Sequence, residues 1–167
     1  MLESDYLKES ENLIKKFRGI PTLKSFHEKD LKGILKLSKI RKYDPGELIL
    51  EEGRYDNWVY FLVSGKVRII KGDKELSVLN RRGDIFGEMG VIDGSARSAS
   101  VYALEETVCL ATDASYVDRL SDSDRVAFSC VLYHVFAEIL ASRLRLTSDE
   151  LVRAREEIAG LKAQLGK

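Results

Sequence analysis

The segment from Gly83 to Ser100 gathers the groups in this chain best suited to bind an anion: Gly83, Gly87, Gly90 and Gly94, with Glu88, Arg97 and Ser98 among them. Gly87 and Gly90 allow the backbone to approach a ligand closely, and free amides at the start of a short helical turn form an anion site through the local dipole. Arg97 adds a fork of donors matched to phosphate oxygens, and Ser98 adds a hydroxyl and an amide. Glu88 would repel a polyphosphate, yet it suits a ligand with one negative charge and a sugar hydroxyl to donate. A cyclic phosphodiester fits that description. The same residue types also build ordinary surface loops closed by a salt bridge, so their order matters more than their presence.

Other chemistry finds little material. Only His27 and His134 could serve as imidazole ligands or bases, and both fall in expected helices, far from the strands on which a metal-dependent double-sheet enzyme would place its ligands. No Ser-His or Cys-His pairing is suggested, so the chain is read as a non-enzyme without a metal. Cys109 and Cys130 lie in apolar surroundings and read as reduced core thiols. Trp58, Tyr60 and Phe61 share one strand, where alternation sends them to different faces, so they read as packing and not as a base-stacking platform. Arg81-Arg82 before Gly83-Asp84 reads as a solvated turn.

The elements that must position the glycine-rich segment follow from periodicity. Tyr6, Leu13, Ile14 and Phe17 share one helical face, and Gly19-Ile20-Pro21 ends that helix. Ser25-Phe26-His27-Glu28 has capping-box spacing before Leu31, Ile34 and Leu35, predicting a second helix to about Ser38. After Asp44-Pro45-Gly46 the period drops to about two. Strands are expected at Leu48–Leu50, Trp58–Val63, Val67–Ile70, Leu76–Leu79, Ala99–Ala103 and Thr107–Ala111, with turns at Gly53, Ser64-Gly65 and Gly72-Asp73. The fold class is mainly β with flanking helices (α+β), an antiparallel double-sheet jelly roll, and the absence of long helices between strands excludes a Rossmann-type sheet. The expected division is N-terminal helices over 1–42, a β-roll over 43–112 with its binding segment at 86–99, and helices over 113–167.

Asp113 is a candidate N-cap for a short helix to Leu120, and Ser121-Asp122-Ser123-Asp124 caps a long one running almost to the C-terminus. In that last helix Ala137, Leu144, Leu151, Ile158 and Leu165 take heptad a positions, and Leu140, Thr147, Ala154 and Leu161 take d. Glu150 and Glu157 at g stand five residues before Arg155 and Lys162 at e, the offset that joins helices of a parallel pair. A parallel homodimer is therefore expected. A hydroxyl in the seam at Thr147 costs stability unless it finds a partner, either a bound base or its own helix carbonyl.

Composition bounds the rest. With 167 residues, 44% of them hydrophobic, 32% charged and only 2 prolines, the chain can bury a core and is not a disordered or collagen-like sequence. Lys+Arg 27 against Asp+Glu 27 gives no net charge, which disfavours binding of nucleic acid. The acidic start Met1-Leu2-Glu3-Ser4-Asp5 is unlike a secretory signal, and no apolar run approaches the ~20 residues of a membrane span. A cytoplasmic protein without membrane contact is expected.

The order Phe86-Gly87-Glu88-Met89-Gly90, then Arg97-Ser98-Ala99, resembles the phosphate-binding cassette of the cyclic nucleotide-binding domain family. Ile20-Pro21 with Phe26, Tyr43-Asp44-Pro45-Gly46-Glu47 and Glu52-Gly53 are similar to that family's first helices and strands, and the resemblance covers about residues 20 to 150. It implies an eight-stranded β-roll. It also implies that Arg97 and the amides of Gly87 and Ser98 bind a cyclic phosphate, that Glu88 accepts the ribose 2′-hydroxyl, and that Ala99 helps by backbone contact. The run from Arg143 to Glu150 resembles the C-helix of the bacterial catabolite-activator branch, which implies purine contacts from Thr147 and Ser148, one from each subunit, with Arg143 as a further candidate. Guanine recognition in the family often uses threonine directly after the cassette arginine; Ser98 stands there, so cyclic AMP is expected before cyclic GMP. Ala96 replaces a frequent proline and is expected to loosen the loop without removing a contact.

No helix-turn-helix, kinase-inhibitor or channel segment is recognisable in residues 1–167, so the expected role is a sensor whose C-helix posture is read by its dimer partner or by a separate effector protein. Two alternatives remain open on the residues. One is a constitutive coiled-coil scaffold with a vestigial nucleotide site, against which the retention of Gly87, Glu88, Arg97 and Ser98 counts. The other is the sensor fragment of a catabolite-activator-like transcription regulator.

Overall fold

The structure is a computed structural model that describes residues 1–5, 17–19, 23, 27–115 and 122–165. Two compact units divide it, Met1–Leu132 and Tyr133–Lys167. The expected first helix around Tyr6, Leu13 and Ile14, its end at Ile20-Pro21, the capping Ser25, and Leu120 and Ser121 near the later helices lie outside the described residues.

The first unit is built on two antiparallel sheets. Its described strands are β1 (Leu2–Glu3), β2 (Ser38–Tyr43), β3 (Leu48–Leu50), β4 (Trp58–Ser64), β5 (Val67–Lys71), β6 (Lys74–Leu79), β7 (Ile85–Phe86), β8 (Ser100–Ala103) and β9 (Thr107–Asp113). One sheet runs β1-β2-β9-β4-β7 and the other β3-β8-β5-β6. Strands β2 to β9 make the eight-stranded roll that the family resemblance implied, and β1 is a two-residue addition to its edge. Between the sheets lies a core of Tyr43, Leu50, Tyr60, Leu62, Val67, Phe86, Val101, Ala103, Cys109 and Ala111. Tyr60 and Phe86 stack with centroids 5.1 Å apart, so the short β7 is fixed by its pairing with β4 and by this ring contact.

Helix α1 (Glu28–Lys36) buries Leu31, Ile34 and Leu35, the residues at helical spacing. It stops sooner than expected. Ser38 already belongs to β2, and its hydroxyl joins the Ile34 carbonyl at 2.6 Å and the Thr112 hydroxyl at 2.7 Å. Both hydroxyls are buried, so this pair anchors the change from helix to strand and pins β2 to β9. The segment 1–42 thus contains strands as well as helix, and the expectation of helices alone there is corrected.

Two short elements frame the glycine-rich segment. Helix α2 (Glu88–Asp93) follows β7 directly, with Gly87 at its N-cap and Gly94 at its C-cap. The Asp84 carboxylate accepts the amides of Asn80 at 3.1 Å and Arg81 at 2.8 Å, closing the turn before β7 and leaving Arg81 and Arg82 exposed. At the end of β9, Asp113 accepts from the Ser115 amide at 3.0 Å; the short helix to Leu120 that it was expected to cap lies outside the described residues.

Helix α3 (Asp122–Leu165) begins in the first unit and forms the second. No described helix is long and apolar enough to cross a membrane. Cys109 is buried, and burial raises its thiol pKa to about 12, whereas Cys130 is exposed on α3, correcting the reading of both as core thiols.

Candidate functional site

Arg97 decides the architecture of the cassette. Its side chain is 3% exposed, and a buried guanidinium must have its donors met. Nε donates to Asp56 Oδ2 at 3.1 Å and Nη2 to Asp56 Oδ1, a side-on pair. Nη2 also donates to the Trp58 carbonyl at 2.6 Å, and Nη1 to the Gly87 carbonyl. The backbone holds the residue as firmly: Arg97 N donates to Arg54 O and Gly53 N donates to Arg97 O, each at 2.8 Å. Asp56 additionally accepts from the Trp58 amide at 2.9 Å, so the loop before β4 is folded around the same carboxylate.

The glycines are required by this arrangement. Gly87 has φ +84, and a Cβ there would lie 2.9 Å from the Trp58 carbonyl oxygen and 3.0 Å from Arg97 Nη1. At Gly90 a Cβ would meet the Ser95 carbonyl oxygen at 2.9 Å. Asp93 accepts the Ser95 amide at 2.9 Å and closes the turn after α2. Glu88, the first residue of α2, is 1% exposed. Ser98 is exposed, with its hydroxyl 3.6 Å from Met89 Sδ, and Ala99 is half-buried. The first unit therefore brings Gly87, Glu88, Arg97, Ser98 and Ala99 together as one compact segment. Its chemical capacity is that of an anion cradle: a fixed guanidinium, glycine backbone free of side chains, and the buried Glu88 next in sequence to Gly87.

Arg143, Thr147 and Ser148 lie on α3 in the second unit and form a separate group there. Thr147 and Ser148 are exposed. Ser148 donates to the Leu144 carbonyl at 2.7 Å, a bond within its own helix. Leu144, Leu151, Ile158, Leu161 and Leu165 are all exposed on the same helix.

Asp56 and Trp58 were missed from the sequence as partners of the cassette. Their signal was available in chemical form: an arginine destined for burial needs a carboxylate, and Asp56-Asn57-Trp58 is an Asx turn opening a strand. A second missed network adjoins them. Arg41 lies 4.0 Å from the centroid of the Trp58 ring, donates to the Tyr60 hydroxyl at 2.6 Å, and pairs through Nε with Glu3 Oε2 at 2.5 Å. Lys39 pairs with the other Glu3 oxygen at 2.7 Å. The Lys39 hydrogen bond, with Arg41 acting in the same direction, holds the Glu3 carboxyl below its usual pKa. Burial raises the Tyr60 phenol, which stays protonated as the acceptor of the Arg41 bond.

His27 precedes α1 and is exposed; His134 is exposed on α3, 3.4 Å from Glu138. Among the described residues no group of three or more His, Cys, Asp or Glu is placed to hold a metal ion.

The first unit is thus a two-sheet β-roll that carries a glycine-flanked short helix and a buried arginine. The cyclic nucleotide-binding domain model matches residues 40–124, just over half of the chain, and the chain belongs to that family. The matched domain is a regulatory binding domain and not a catalytic fold. Among curated relatives, a cGMP-dependent protein kinase of Toxoplasma gondii is 36% identical over 81 residues, which are 48% of this chain and 8% of the kinase. The cyclic AMP receptor protein of Thermus thermophilus is 31% identical over 138 residues, 80% of this chain and 62% of that protein. The chain thus spans less than two thirds of the length of either relative. A crystal structure of a cyclic nucleotide-binding domain from Methylobacillus flagellatus shares the fold, with TM-score 0.76 at 19% identity, over 89% of this chain and 87% of that one.

Proposed function

We propose that this chain is a cyclic AMP sensor that binds the nucleotide in its cassette and signals through α3. Arg97 and the amides of Gly87 and Ser98 hold the cyclic phosphate, Ala99 adds backbone contact, and Glu88 accepts the ribose 2′-hydroxyl. Thr147 and Ser148 contact the purine, with Arg143 as a further contact. The observation that carries the reading is the burial of two charged residues within the family's cassette, Glu88 at 1% and Arg97 at 4% exposure. Burying a charge costs several kcal/mol unless it is paired, and the fold supplies Arg97 with the Asp56 carboxylate and two carbonyls, an arrangement that packing alone would not require.

The working division is the roll with its 86–99 cassette as receiver and the helices of 113–167 as transmitter. Two chains pair in parallel along α3, an idea supported by the exposed Leu144, Leu151, Ile158 and Leu161 at heptad positions and by Glu150-Arg155 and Glu157-Lys162 offsets. Ligand shifts the population toward the α3 posture that closes on it, and a cytoplasmic effector protein reads that posture. Cyclic GMP is the second ligand to consider, because the Toxoplasma relative is a cGMP-dependent protein kinase.

The test is calorimetric titration of protein denatured and refolded to strip any bound nucleotide. Saturable binding of cyclic AMP at micromolar or tighter affinity, with weaker binding of cyclic GMP, is expected. Tighter cyclic GMP binding would reverse the ligand order, and no heat with either from refolded protein would overturn the sensor reading.

A further inference from the structure

Trp58, the chain's one tryptophan, is held by two networks at once. Its carbonyl accepts from Arg97 Nη2 at 2.6 Å, and its ring lies 4.0 Å from the guanidinium of Arg41. Arg41 is gripped in turn by Glu3 of the N-terminal strand β1 at 2.5 Å, and β1 is laid along β2 with Leu2 opposite Lys42 and Glu3 opposite Arg41. Ser4 secures the far end of that strand, its amide donating to Ile40 O at 2.9 Å and its hydroxyl accepting from Ile40 N at 3.0 Å.

The donor count at Arg97 gives this connection a direction. A guanidinium carries five N–H groups. Two serve the Asp56 carboxylate, one the Trp58 carbonyl and one the Gly87 carbonyl, which leaves a single N–H on Nη1. A phosphate gripped by two parallel donors has two edges to choose from. The side-on edge is filled by Asp56. On the end-on edge, which takes one N–H from each terminal nitrogen, Nη2 gives its hydrogen to the Trp58 carbonyl. A neutral carbonyl is a weaker acceptor than a carboxylate, so it yields first.

Seating an anion end-on therefore detaches Trp58 from Arg97, and whatever clamps Trp58 in its accepting position opposes the anion. We propose that the N-terminal strand is a brake on the cassette, with Glu3 acting through Arg41 and Trp58 as a positioning residue that touches no ligand. The proposal rests on the reading of the cassette as a cyclic phosphate site. By linkage, nucleotide and docked strand each weaken the other by the same factor.

Wild type, Glu3→Gln and Arg41→Lys are titrated with cyclic AMP by calorimetry while Trp58 emission is followed in parallel titrations, and melting curves establish that each variant is folded. Glu3→Gln keeps the size of a partly exposed side chain, so it stands even if Arg41→Lys fails to fold. The expected result is affinity about fivefold tighter in Glu3→Gln, at the low end of measured couplings, and at least as much tighter in Arg41→Lys. Saturating nucleotide shifts Trp58 emission in wild type, and the shift shrinks in the variants, where the ring has already lost its clamp. Affinity in Glu3→Gln weaker than wild type or within about twofold of it, or Trp58 emission unmoved by saturating nucleotide, overturns the brake and leaves the cyclic nucleotide site standing. No heat in wild type overturns both.

Discussion

The cassette and the C-terminal part of α3 solve opposite problems. Arg97 carries a full charge into the first unit, and the fold meets nearly every donor it has from Asp56, Trp58 and Gly87. Along α3 the apolar Leu151, Ile158, Leu161 and Leu165 remain at least half exposed. A charged group has directional needs, so its partners had to be built into the same unit before any ligand arrived. An apolar stripe has no such needs and can wait for whatever surface covers it. The polar partners of Arg97 are thus fixed within one unit, whereas among the described residues the stripe stays exposed.

Removing Arg97 should separate the two regions most sharply. Arg97→Ala is expected to cost ~2–5 kcal/mol in cyclic AMP binding, roughly thirtyfold to several thousandfold in affinity, measured by calorimetry. Affinity within threefold of wild type would remove the arginine from the binding site. The same variant removes the guanidinium donors to the Asp56 carboxylate and to the Trp58 and Gly87 carbonyls, so its melting temperature should also fall, by about 2–4 °C for each kcal/mol lost. Leu151→Ala tests the other region. If α3 pairs in parallel, each truncated side chain forfeits up to about 1.5–3 kcal/mol of apolar burial, and sedimentation should show the dimer dissociating at higher concentration. A wild-type chain that sediments as a monomer at every concentration would remove the coil. Gly87→Ala should be milder, about 1–2 kcal/mol of stability from the left-handed backbone alone, with weaker nucleotide binding because the new methyl presses on Arg97. Unchanged melting in that variant would mean the turn relaxes.

The contrast between regions also explains what was legible beforehand. Strands β3, β4 and β5 were readable because alternation and glycine turns bracket them, and α3 because forty-odd residues of helical periodicity leave little ambiguity. The cassette was readable from the order of its glycines, Glu88, Arg97 and Ser98. Strand β2 was hidden because Ser38-Lys39-Ile40-Arg41-Lys42-Tyr43 places Lys39 and Arg41 on the side that a simple pattern reserves for apolar residues. Those charges are tolerated because Glu3, Trp58 and Tyr60 receive them, and those partners come from distant parts of the chain. Strands β1 and β7 have two residues each and exist only through pairing, which no local propensity reports. Asp56 was invisible as a site residue for the same reason. Its role is set by a partner 41 residues away.

The weakest expected effect probes that hidden network by pH. The Glu3 carboxyl is held below its usual value by the Lys39 hydrogen bond and by Arg41. A carboxyl with a depressed folded-state pKa contributes stability that is fully present above its unfolded value, near 4.3, and is lost as pH falls through the lower folded value. Other carboxylates titrate over the same range, so the informative quantity is the difference in melting temperature between wild type and Glu3→Gln. That difference should be constant from neutral pH down to about 5 and then shrink as the solution is acidified further. A gap of constant size down to pH 3 would mean that Glu3 draws nothing from its charge, and the grip on Arg41 would then be one of packing alone.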